Sequence, residues 1–227
     1  MDSCLLPDTC LETLRVRRCH VNGNDGKRDK RTARIVRALS EAALQLLEET
    51  GWDGLTVSRI CESAEVARST FYLHFESPED VVYEGLRNAY AREFPDILAA
   101  PETVDPDSLL ASGKPLSYPL FAHLDAHRSI YKLVFTDDRG AIVARKIQRD
   151  VAAVSKAQHA SLRQVSESPP DPDLTASYLA GALLASGAHW ITSDAPTTAL
   201  EMAYWFSSMA APGLLDLMGL GDIDSED

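Results

Sequence analysis

No stretch of this 227-residue sequence alternates apolar and polar side chains at period two for long enough to make a convincing strand. Apolar residues recur instead in steps of three and four, between breaks marked by glycine and proline, so the fold class is all-α. From Arg31, the residues Ile35, Leu39, Ala42, Leu46 and Leu47 form one apolar stripe. Gly51 is the expected left-handed stop, and Trp52 folds back as a core plug. Thr56 is a good N-cap for a second helix, with Val57, Ile60, Cys61 and Ala64 facing inward. After the break Glu65-Val66-Ala67 comes a short helix, Arg68 to Phe75. Ser77-Pro78-Glu79-Asp80 then supplies an N-cap serine, proline at the first helical position and acids in the first turn. That fourth helix runs to about Phe94, where Pro95 is expected to stop it. Further helices are expected over Leu116–His127, Ile130–Phe135, Asp138–Val165, Leu174–Ile191 and Thr197–Met209, with a Ser-Pro-Pro-Asp-Pro breaker at 168–172.

Charge divides the chain unequally. The net charge is −12, yet residues 1–75 hold 11 basic and 11 acidic side chains, whereas residues 76–227 hold 11 and 23. Lys27, Arg28, Lys30, Arg31, Arg34 and Arg37 face only Asp29 over eleven residues, which points to one end that meets a polyanion. Residues 1–29 lack sustained periodicity and are expected to be a disordered arm with a basic end. No apolar run is long enough to span a bilayer and no secretory signal is evident, so a cytoplasmic protein without membrane contact is expected. Cys4, Cys10, Cys19 and Cys61 include no CxxC pair and are read as reduced thiols.

A short helix, a three-residue turn and a second short helix is the helix-turn-helix arrangement, whose second helix lies in the major groove of DNA. Phe71 and Phe75, four apart, can anchor that helix. Arg68, Ser69, Thr70, Tyr72 and His74 then remain to meet bases or phosphates, and none is acidic. Arg68 can pair with guanine in bidentate fashion, and Thr56 can offer its backbone N–H to a phosphate. Thr56-Val57-Ser58-Arg59-Ile60-Cys61, Val66, Ser69-Thr70-Phe71-Tyr72-Leu73-His74-Phe75 and Ser77-Pro78-Glu79-Asp80 together resemble the DNA-binding domain of the TetR family of bacterial repressors. The resemblance covers about residues 31–94. It implies an N-terminal three-helix DNA-binding domain, taken as residues 30–76, and a larger helical ligand-binding and dimerisation domain over 77–227. It also implies a homodimer on double-stranded palindromic operator DNA, controlled by a small-molecule effector. Leu120-Phe121, His123, Arg128 and Tyr131 are similar to a subgroup's C-terminal domain.

The chain departs from the family's pattern where glycine often opens the turn and serine caps the recognition helix; here stand Glu65 and Ala67. A left-handed Glu65 would be strained by about 1–2 kcal/mol. Acids at 76–80 suit a helix dipole but repel a DNA backbone. The basic residues Lys27 to Arg34, with Lys30, Arg31 and Arg34 nearest the motif, are expected to compensate by gripping phosphates or the minor groove.

In the second domain Phe121, Leu124, Tyr131, Phe135, Ile147, Val151, Tyr178 and Trp190 are core residues, some expected to line a cavity for a hydrophobic or aromatic effector. Gly181, Ala185 and Ala188, with Trp205, Phe206 and Met209, are expected at a dimer interface built as a four-helix bundle. His123 and His127 have a spacing that can grip zinc but lack the glutamate of HExxH, so they are read as ordinary partly buried histidines, with no metal and no cofactor. No GxSxG, GxGxxG or phosphate-binding loop points to catalysis. The expected function is a ligand-responsive DNA-binding regulator, a repressor rather than an enzyme. The alternative is a relative of the same fold, a ligand-binding or co-activator protein without specific DNA binding.

Overall fold

Gly51 makes the first corner of the fold. In the computed structural model, which describes residues 25–99, 114–160, 170–193 and 195–217, Gly51 takes φ 66° and ψ −172°. This left-handed backbone kinks helix α1 (Asp25–Gly54) and returns Trp52 to the core at 4% exposure. The helix begins six residues before Arg31, so Asp25 to Asp29, expected in the disordered arm, are helical. The reason is local: lysine and arginine are good helix formers, and an acid at the first position suits the helix dipole. The rest of the expected arm, residues 1–24, lies outside the described residues.

Helix α2 (Val57–Ser63) starts as expected at Thr56, whose hydroxyl accepts the Arg59 N–H at 3.3 Å. After α3 (Arg68–Phe71), helix α4 (Pro78–Glu93) opens on a full capping box. Ser77 Oγ accepts the Asp80 N–H at 3.2 Å, and Asp80 Oδ2 accepts the Ser77 N–H at 3.0 Å. Two donors that the helix leaves unpaired are thereby satisfied, a contribution of about 1 kcal/mol. Helix α4 ends at Glu93, ahead of Pro95 as expected, and Pro95 then opens a short further helix, α5 (Pro95–Ala99). The chain continues as α6 (Tyr118–Ala126), α7 (Arg128–Thr136), α8 (Asp138–Ala160), α9 (Pro172–Thr192) and α10 (Ala199–Leu217). No strand occurs among the described residues, and no described helix is long and apolar enough to cross a membrane.

Helix α4 joins the two halves. It packs on α1 at one side and α8 at the other, while α8 packs on α9 and α7, and α10 on α6. One apolar cluster accordingly runs from Leu39 and Phe71 through Leu86 to Trp190 and Phe206. The approach of α9 to α6 depends on Gly187: a Cβ there would lie 2.6 Å from Leu124 Cδ1.

Candidate nucleic-acid interface and cavity

The turn between α2 and α3 is tight because its amides fold back on α2. The Val66 N–H donates to the Cys61 carbonyl at 2.9 Å, and the Glu65 N–H to the Glu62 carbonyl at 3.2 Å. Glu65 pays for this with φ 53°, the left-handed conformation that an L-residue resists. Ala67 opens α3 with no side-chain cap.

The recognition segment is shorter as a regular helix than its eight residues suggested. Helix α3 ends at Phe71, and the Leu73 and His74 amides donate to the Thr70 and Phe71 carbonyls in a tightened turn. Phe71 is fully buried with the partly buried Phe75 ring 5.8 Å away, so the two anchors act as expected. Arg68, Ser69 and Tyr72 are exposed, while Thr70 and His74 are half-buried. The Arg68 guanidinium makes no ion pair among the described residues. Leu73, 78% exposed, is an outward residue that sequence reasoning passed over. Its position two residues from each anchor, on the opposite side of a helical turn, was the available signal.

Thr56 is exposed beside this segment, as are Lys30, Arg31 and Arg34 along α1. Lys30, Arg34 and Arg37 recur at steps of four and three, so these charges sit on one helix face.

The acids after the recognition segment are disposed differently from the expectation. Glu79 is buried, and its Oε1 accepts the Arg139 Nε–H at 2.6 Å. Arg139 also donates to the carbonyls of Trp52 and Leu55, and its guanidinium lies 5.3 Å from the centre of the Trp52 ring. Asp80 is paired with Lys146. Burial alone would raise the Asp80 pKa, but Lys146, Ser77 and the Glu76 amide outweigh it and hold the carboxyl below its usual range. Two of the three acids at 76–80 are therefore compensated by α8, and Glu76 alone remains exposed.

Between α4, α6, α8, α9 and α10 lies a cavity of about 200 Å³. Of the residues expected to line it, Tyr131, Ile147 and Val151 do. Phe121, Leu124, Phe135, Tyr178 and Trp190 are off its wall. Phe121 packs edge-on against Trp190 at 5.9 Å, Leu124 lies under Gly187, and Phe135 stacks on the outer side of Tyr131. Trp190 is held in place by donating to the Thr197 carbonyl at 3.0 Å, and Tyr178 is 62% exposed. The neighbours Leu120 and His123 of α6, with Leu86 and Tyr90 of α4, take the wall positions instead. A step of one residue rotates a side chain by about 100°, which is why sequence could not choose among them.

His123 is not partly but almost fully buried, while His127 is half-buried. Both face Glu93: His123 Nδ1 is 2.7 Å from Oε2 and His127 Nε2 is 2.8 Å from Oε1. Burial holds the His123 imidazole below its usual pKa. Burial would raise the Glu93 pKa, but the two histidines outweigh it and keep the carboxyl below its usual range.

Among the expected interface residues, Ala185 is exposed, as are Trp205 (56%) and Met209 (71%). Phe206 is the exception. It is buried, packs beside Phe121 and lines the cavity, because it stands about 100° around α10 from Trp205. Gly181 lies near Gln148 of α8, and Ala188 is half-buried.

A capped helix, a tight turn and an outward, acid-free recognition segment define a helix-turn-helix protein. Residues 39–84 match the family model of the bacterial regulatory proteins of the tetR family. Over those residues the chain carries a helix-turn-helix of the tetR type. Its fold is similar to that of the dihydroxyacetone kinase operon activator DhaS, at 14% identity and a TM-score of 0.54, covering 79% of this chain and 96% of that one. It is also similar to a protein described as a TetR-family transcriptional regulator from Mesorhizobium loti MAFF303099, at 21% identity and a TM-score of 0.53, covering 82% and 98%. These likenesses concern the fold. No protein of curated function matches the sequence significantly.

Proposed function

We propose that the protein is a repressor that binds a palindromic operator as a homodimer and is released by a small hydrophobic or aromatic molecule held in the cavity. The observation that carries the DNA-binding reading is the outward Arg68, Ser69 and Tyr72, beside which Glu79 and Asp80 are neutralised by Arg139 and Lys146. Arg68 is assigned to base edges, with Thr70 and His74 completing the groove surface. Thr56, Lys30, Arg31 and Arg34 are assigned to the phosphates on either side. Two copies of the segment about 34–36 Å apart would read successive major grooves.

Dimerisation is supported by large apolar side chains left in solvent on two adjacent helices. Leu174 and Tyr178 of α9 are 66% and 62% exposed, and Trp205 and Met209 of α10 share an i, i+4 face. Their burial against a second copy would remove the largest exposed apolar groups of the second domain. The effector class rests on the cavity wall, where aliphatic side chains predominate beside the rings of Tyr83, Tyr90, Tyr131 and His123 and the Arg87–Asp150 pair.

The test is anisotropy on duplexes tiling the DNA beside the protein's own gene, with sedimentation of the free protein. A salt-sensitive complex of two chains on one palindrome is expected. Arg68→Ala should lower specific affinity by about 1–3 kcal/mol while leaving the fold unchanged. Absence of any complex at low salt would overturn the reading and favour the alternative without DNA binding.

A further inference from the structure

Sequence offered two histidines at i and i+4 without the third ligand that a metal site needs. The structure supplies it from 30 residues upstream. Glu93 closes α4, His123 lies on α6 and His127 caps that helix, and one donor atom from each falls within 4.8 Å of the others. We propose that Glu93, His123 and His127 form a binding site for a divalent transition-metal ion, of the zinc, cobalt or nickel type.

Two imidazoles and one carboxylate suit such borderline ions better than calcium or magnesium, which favour all-oxygen shells. The carboxylate already spans both rings, with contacts of 2.7 and 2.8 Å, so the three side chains are gathered before any ion arrives. Rings around them limit their freedom: Tyr90 and Tyr131 meet the His123 ring edge-on at 5.3 and 5.6 Å.

A second observation joins the site to the cavity. His123 is 1% exposed, and its Nε2 is buried without a hydrogen-bond partner among the described residues. A nitrogen so placed costs roughly 1–3 kcal/mol unless something meets it. Without an ion, Nδ1–H of the neutral ring donates a hydrogen bond to the Glu93 carboxylate, which leaves Nε2 a bare acceptor. With Nδ1 on an ion the proton resides on Nε2, and the same atom becomes a donor. His123 also lines the cavity, so an ion here would change the hydrogen-bonding character of a cavity-wall side chain. Three protein ligands also leave at least one coordination position for water or an effector atom. An ion here would pin the end of α4, whose first turn follows the recognition segment, against α6. The proposal goes beyond the regulatory reading and does not depend on it.

The experiment uses the full chain, stripped with chelator, titrated with Co²⁺ and then with Zn²⁺. Saturable binding at one ion per chain is expected, with visible d–d bands, without the near-ultraviolet charge transfer of thiolate ligation, and with displacement by Zn²⁺. His127→Ala and Glu93→Gln, at partly exposed positions, should keep the far-ultraviolet spectrum and lose about 100-fold or more in Co²⁺ affinity, since even supporting partners of metal ligands are worth 10–100-fold. Failure to saturate, or equal binding by both variants, would overturn the proposal. Operator binding is not the readout, so a protein that takes the ion and ignores DNA would leave this site intact and refute only the regulatory reading.

Discussion

Replacing Glu65 by glycine should stabilise the protein, a rare outcome for a point substitution. Glu65 has φ 53° in the turn between α2 and α3, and its side chain is exposed without a hydrogen bond or ion pair among the described residues. Nothing visible in the folded state is therefore lost with the side chain. The left-handed conformation costs an L-residue about 1–2 kcal/mol, and glycine removes that cost. Glycine also loosens the unfolded chain, which returns about 0.4–1 kcal/mol. The difference favours Glu65→Gly by about 0.5–1 kcal/mol. For a domain of this size that is about 1–4 °C in Tm, measured at fixed protein concentration because association would also raise Tm. Glu65→Ala and Glu65→Gln keep a Cβ, so both should stay close to the parent. Stability of Glu65→Gly no higher than that of Glu65→Ala would refute the strain argument. The Gln variant has a second use, since gains in DNA affinity shared by Gln and Gly come from charge, and a gain unique to Gly comes from geometry.

Two further outcomes concern the contacts between α4 and α8. Arg139→Ala leaves Glu79 buried and unpaired; discounted for the 36% exposure of Arg139, the cost in urea unfolding should be about 2 kcal/mol, and adding Glu79→Gln should restore about half. Full additivity of the two losses would contradict direct pairing. Asp80 has a folded pKa below its unfolded value near 3.9, so its contribution is fully present above that pH and disappears as pH falls through the folded pKa. The stability gap between parent and Asp80→Asn should thus be about 1–2 kcal/mol at pH 7 and close in strong acid; a gap independent of pH would show that the charge of Asp80 is irrelevant.

Local chemistry was readable from sequence. Thr56, Ser77 and Gly51 act within a turn of their own positions, and each structural role follows from the residue type and its immediate neighbours. The strain at Glu65 was equally local. Side chains that answer to distant partners were not readable. Glu79 looked like a helix-start acid facing DNA and is instead drawn inward by Arg139, 60 residues later. Phe206 looked like its exposed neighbour Trp205, yet one residue step decides between cavity wall and solvent. Glu93 carried no sequence signal at all, because its relation to His123 and His127 is created by the packing of α4 beside α6. The onset of α1 was missed for the opposite reason: turn-forming Asn and Gly residues drew attention away from a basic run with good helix propensity.

The partly buried pair Glu79–Arg139 raises a question that stability does not answer, since apolar replacements for such ion pairs are often as stable or more so. Its position offers a reason. Glu79 and Asp80 form the first turn of α4, and both are tied to α8 by cations, while Trp52 of α1 donates to the Leu133 carbonyl of α7 at 3.0 Å. The middle of the same α4 contributes Leu86 and Tyr90 to the cavity wall. A 16-residue helix is about 24 Å long, so a tilt of about 5° that a ligand imposes at one end would move the other by about 2 Å. An apolar contact could slide under that displacement. A directional pair anchored to the Trp52 and Leu55 carbonyls must either follow or break, so in the proposed release mechanism it converts a small change at the cavity into a discrete choice of recognition-helix position.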